Sequence, residues 1–123
     1  TAIDIAVELI VPNRPIREVQ EAVQTHFEEL GHATARSHPG TQTGYVHSLG
    51  HGIGLQVHEG YVISHRDQRH QFTHGNVFTI EPGLYNPDQA FGVRVEDTVY
   101  LAPNGELEIL TDIPRDLILP LRG

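Results

Sequence analysis

The apolar side chains of residues 16–30 fall on one stripe. Ile16, Val19, Val23, Phe27 and Leu30 recur every three or four residues, with Glu18, Gln20, Glu21, Gln24 and Glu28 on the other sides. That spacing predicts an amphipathic α-helix. Pro15 suits its first position, and Gly31 its stop. A shorter helix is expected just before it, where Ile3, Ala6, Val7 and Ile10 share a face until "VPNRP" interrupts the chain. After Gly31 the texture changes. "HATARSHPGTQTG" reads as loop. "VFTIEPGLY" and "GVRVEDTVYLAPNGELEIL" are rich in β-branched residues and carry turns at Pro82-Gly83, Asn86-Pro87-Asp88 and Pro103-Asn104-Gly105. Residues 99–101 and 106–109 flank the last turn as a hairpin. Helices first and strands afterwards indicate an α+β fold with a mostly antiparallel sheet, not a doubly wound one.

A length of 123 residues is enough for a single core. The formal charge of −8 argues against nucleic acid as a partner, because phosphate backbones call for clustered cations. There is no Cys, so a metal site would rest on His, Asp and Glu, which suit Mn, Co, Zn or Fe better than Cu(I). Absence of disulfides fits the cytoplasm. No leader pattern and no apolar run of ~20 residues is present, so no membrane span is expected. The chain reads as a piece of a longer soluble protein. Its tail, "TDIPRDLILPLRG", is expected to lie across a surface or an interface.

The chemistry-bearing stretch is "HSLGHGIGLQVHEG", with His47, His51 and His58 among four glycines. On extended strands His47 and His51 share a face, and so do Arg94 and Glu96, with Val93 and Val95 turned to the core. A partly buried carboxylate requires a cation or a metal as partner. One reading is a plain ion pair, Arg94 with Glu96, holding the sheet. The other is a divalent-ion site in which His51, Glu81 and Glu96 supply an imidazole and two carboxylates. Gly50, Gly52 and Gly54 would then allow close approach around His51. His26, His32, His65, His70 and His74 read as surface residues.

Three segments, "HSLGHGIGLQVHEG", "NVFTIEPGLY" and "GVRVEDTVYL", occur in an order that resembles the second half of a pita-bread metallopeptidase. The closest group is the Xaa-Pro aminopeptidases and Xaa-Pro dipeptidases (prolidases). Methionine aminopeptidases share the "GHGIG" segment, but Gly83 after Glu81-Pro82 and the "VRVED" context point to the proline-directed branch. The resemblance implies that residues 1–123 are the C-terminal part of the catalytic domain. It implies that His51, Glu81 and Glu96 are ligands of a two-metal centre, with Mn the first candidate. It further implies that His58 contacts the scissile peptide, that His47 lines the substrate pocket, and that Arg94 braces Glu96. The implied reaction is peptide hydrolysis by metal-activated water, with Glu81 moving the proton.

The family's centre needs two further aspartates from preceding strands. Asp4, Asp67, Asp88, Asp97, Asp112 and Asp116 do not stand in that context, so the chain alone is expected to be inactive. A non-catalytic pita-bread binding module and a creatinase-like hydrolase are the alternative readings. With one half of an internally symmetric fold in view, the stripe on residues 16–30 and a sheet edge are expected to be partly uncovered and to recruit a second copy as a homodimer.

Overall fold

A computed structural model describes residues 1–116. Two helices open the chain, α1 (Ala2–Leu9) and α2 (Ile16–Glu29), and seven short strands follow. Helix α1 starts in a capping box between Thr1 and Asp4. Helix α2 starts after Pro15, one position later than the proline preference predicts, and stops at Gly31, whose φ is +85°.

The strands are β1 (Gly50–His51), β2 (Val62–Ile63), β3 (Val77–Ile80), β4 (Gly83–Asn86), β5 (Phe91–Arg94), β6 (Asp97–Leu101) and β7 (Leu107–Ile109). All their pairings are antiparallel: β1 with β2, β4 with β5, and β3–β6–β7 as a three-stranded sheet. The β6–β7 hairpin is the one the turn at Pro103-Asn104-Gly105 predicts. The tail expectation falls partly on residues 117–123, which lie outside the described residues.

One core joins helices and strands. Ala2, Ile3, Ala6 and Ile10 of the first helical segment meet Ile16, Val19, Val23 and Phe27 of α2, and with them Tyr45, Leu49, Ile63, Phe72, Phe78, Ile80, Val99 and Leu101. The expected uncovered stripe is therefore corrected: the chain buries Ile16, Val19, Val23 and Phe27 by itself, and only Leu30, beyond the last helical turn, is exposed.

Gln20 and Gln24, assigned by periodicity to the polar face, are also buried. The reason is visible at Gln20. Its Oε1 accepts the Leu49 N–H at 2.5 Å and the Tyr45 hydroxyl at 3.3 Å. Its Nε2 donates to the His47 carbonyl at 3.4 Å. Residues 45–49 lie outside the named strands and have few ladder bonds, among them Leu49 N–H to the Ile63 carbonyl at 3.0 Å, and an α2 side chain adds to these. Gln20→Leu keeps the volume and leaves the Tyr45 hydroxyl and the His47 carbonyl without their Gln20 partners, while the Leu49 N–H retains the Ile63 carbonyl at 3.0 Å. We expect a loss of about 1–3 kcal/mol in urea unfolding, and an unchanged midpoint would show that the orphaned groups find other partners.

Candidate metal centre

The sheet breaks where the chain carries its carboxylates. β3 ends at Ile80 and β4 begins at Gly83, because Pro82 has no N–H for a ladder. The facing strand breaks at Val95 and Glu96, so "GVRVEDTVYL" forms two strands, β5 and β6. Ile80 pairs with Asp97 and Gly83 with Arg94. The same register runs through the break, with Val95 N–H donating to the Pro82 carbonyl at 3.4 Å, and it sets Glu81 opposite Glu96. Like charges directly opposite one another on adjacent strands repel, so this pair needs a cation.

Two are within reach of the geometry. Arg94 Nε stands 3.8 Å from Glu81 Oε2 and 3.7 Å from Glu96 Oε2. Half of the Arg94 side chain is exposed, which leaves its attraction largely screened. The Tyr85 hydroxyl and then the two carboxylates push the guanidinium pKa up despite partial burial, so the group stays charged.

The second possibility is a metal ion. Donor atoms of His51, Glu81 and Glu96 all lie within 4.8 Å of one another. The His51 ring is set for this. Its Nδ1 is 3.0 Å from the Gly52 carbonyl, which can only accept, so Nδ1 carries the proton. The lone pair of Nε2 then points at Glu81 Oε1, 3.2 Å away. Two acceptors at that distance require a proton or a cation between them. A backbone carbonyl holding the second ring nitrogen is the usual support of a metal-bound histidine. An imidazole and two carboxylates suit a divalent ion of the Mn, Co, Zn or Fe type, and the residues present fit one.

The other residues singled out from the sequence surround this cluster. The His58 ring is exposed and tilted against the His51 ring, centroids 4.2 Å apart. His47 lies outside β1, so it does not share a strand with His51 as expected; only Gly50 and His51 are extended. The Ser48 carbonyl is 2.7 Å from His47 Nδ1, so His47 Nε2 accepts the Tyr85 hydroxyl at 2.9 Å. The Tyr85 hydroxyl thereby anchors the His47 ring, a contact that sequence reading missed although Tyr85 has the strand parity of Glu81.

Arg94 and Glu96 were expected to be partly buried and Val93 to face the core. Arg94, Glu96 and Val93 are exposed instead, and only Val95 packs against the core, because β5 has a single partner among the described residues. His26 and His65 are half-buried, unlike His32, His70 and His74. His65 Nδ1 is 3.2 Å from Gln24 Nε2, and burial lowers its pKa.

The aspartates stay away from the cluster. Asp97 points to the opposite side, buried against Thr111 and 2.7 Å from Arg115. Asp67 is used by its own loop. Partial burial works against its charge, but the His70 N–H and ring and the Arg69 N–H outweigh that and hold its carboxyl at about 2.

The family model of metallopeptidase family M24 matches residues 1–103. The chain belongs to this family. It is 37% identical over 113 residues to the Xaa-Pro dipeptidase of Pyrococcus furiosus, covering 92% of this chain and 29% of that protein. Among solved structures, the X-Pro aminopeptidase of Thermotoga maritima aligns with a TM-score of 0.76 at 35% identity, over 94% of this chain and 29% of that one. The prolidase of Pyrococcus horikoshii aligns with a TM-score of 0.78 at 35% identity, over 95% and 30%. The M24 chain thus spans under a third of the length of these relatives, and its α+β architecture is that of the pita-bread fold.

Proposed function

We propose that the M24 chain is the C-terminal part of a pita-bread catalytic domain that hydrolyses peptide bonds next to proline, as an Xaa-Pro dipeptidase or aminopeptidase. The observation that carries this reading is the meeting of Glu81, Glu96 and the Nε2 side of the His51 ring at one break in the sheet. His51, Glu81 and Glu96 would hold divalent metal, Mn first and Co, Zn or Fe next. The complete enzyme would hold two ions, with aspartates contributed from outside this chain. Bound there, a divalent ion lowers the pKa of water and polarises the peptide carbonyl.

The residues of the chain divide the remaining work. Glu81 accepts a proton from the attacking water and returns it to the leaving amine. His58, exposed beside His51, donates a hydrogen bond to the carbonyl oxygen as it gains charge. His47, held by Tyr85, lines the approach of the peptide. Arg94 offsets the charge of Glu81 and Glu96 and keeps both aimed inward. No helix among the described residues is long and apolar enough to cross a membrane, and the proposed site of action is the cytoplasm.

The proposal includes a homodimer. With the α2 stripe buried, it rests on strand β5, which has a single partner among the described residues, and its exposed Phe91 and Val93. Light scattering at low micromolar concentration is expected to give twice the chain mass; a monomer mass independent of dilution would remove this part.

Calorimetric titration of the 123-residue chain with MnCl2 is expected to show one weakly held ion. Two tightly held ions would contradict the three-residue donor set. In the full-length parent, Glu81→Gln or His58→Ala should lower turnover on Xaa-Pro peptides about 10²-fold or more. A parent that ignores Xaa-Pro peptides but releases N-terminal Met would overturn the proline-directed assignment.

A further inference from the structure

We infer that Thr79 is a positioning residue of the proposed centre: its one hydroxyl ties His51, on β1, and Glu81, just past the end of β3, into a fixed pair. The inference rests on the metal-site reading above and adds a residue to it. Thr79 is buried on β3, two positions before Glu81 and on the same face of the strand.

The ladder between the His51 segment and β3 shows what Thr79 does. On one side Glu81 N–H donates to the Leu49 carbonyl at 2.6 Å, and on the other Ile53 N–H donates to the Val77 carbonyl at 3.1 Å. Between them the backbone acceptor is replaced by a side chain, and His51 N–H donates to Thr79 Oγ1 at 3.1 Å. The substitution fits the crowding there, since the Thr79 carbonyl lies against Gly50 where any Cβ would collide with it.

Having accepted from His51, the hydroxyl has one proton to give. Glu81 Oε1 is 3.1 Å away and the His51 carbonyl 3.5 Å, so the carboxylate takes it. Glu81 Oε1 is also the atom that faces His51 Nε2 at 3.2 Å. One hydroxyl therefore sets the height of the His51 backbone and the rotation of the Glu81 carboxylate together. Valine has the same shape and neither hydrogen bond, whereas serine keeps both.

Mn(II) uptake by the 123-residue chain can be followed through the electron paramagnetic resonance signal of the free ion, which resolves weak binding. Thr79→Val and Thr79→Ala are expected to weaken uptake at least about tenfold and Thr79→Ser to restore it to within about threefold of the parent, as for lost and regained outer partners of ligands. Metal-free melting followed by circular dichroism checks that each variant is folded. Uptake by folded Thr79→Val or Thr79→Ala equal to the parent's would overturn the role of Thr79 and leave the site reading intact. So would a Thr79→Ser chain as weak as the valine variant, since a hydroxyl would then not be what matters. Loss of fold in both Thr79→Val and Thr79→Ala would make Thr79 a core residue and overturn the proposal as well. A parent chain that takes up no Mn(II), with Glu81→Gln indistinguishable from it, would overturn the site reading and the inference with it.

Discussion

Glu81 and Glu96 face one another across an antiparallel pair, and much else in this chain answers that repulsion. A sheet with two opposed carboxylates would ordinarily shift register or turn one of them away. Here the flanking pairs, Ile80 with Asp97 and Gly83 with Arg94, hold the register from both sides. The break at Pro82 removes ladder bonds at the point of strain, yet Val95 N–H still reaches the Pro82 carbonyl. Arg94 then stands near both carboxylates without enclosing either. An ion pair meant only to stabilise the sheet would gain from burial of all three partners with full hydrogen bonding. An open pair of carboxylates beside the Nε2 edge of His51 is a different arrangement, suited to a cation that arrives from solution.

Holding the third donor in place falls to small residues and to hydrogen bonds from side chains. The glycines around His51 were expected to thin the wall for a ligand. What they admit is protein: Gly50 lies against the Thr79 carbonyl and Gly52 against the Glu59 carbonyl, and a Cβ at either would collide. The backbone near His51 is therefore clamped between β3 and the loop that carries His58. Gln20 extends the same device backwards to residues 45–49. Short strands with few ladder bonds of their own are held by the buried side chains of Gln20 and Thr79, each bonded to a named backbone group.

The parts of this arrangement that were legible in the sequence are those set by local periodicity. The α2 stripe from Ile16 to Phe27, the stop at Gly31 and the hairpin around Asn104 follow from spacing and turn chemistry alone. So does the shared side of Arg94 and Glu96, because parity survives a break that does not slip the register. What periodicity could not show is which faces the rest of the chain would cover. Gln20 and Gln24 look solvated on a helical wheel and are buried, since residues 45–49 and His65 lie over that side of α2. Val93 looks like core and is exposed, since among the described residues β5 pairs with β4 alone. Thr79 gave no separate signal: threonine is common in strands for its branched Cβ, and nothing local distinguishes a packing threonine from one that bridges two donors of a site.

Exposure rises across the three residues in a consistent direction. His51 is buried, Glu81 is half-buried, and Glu96 is exposed. The innermost residue is also the one fixed most fully, through its backbone by Thr79 and through its ring by the Gly52 carbonyl. The outermost has only Arg94, itself half exposed. A site built in this order is rigid at its floor and adaptable at its rim.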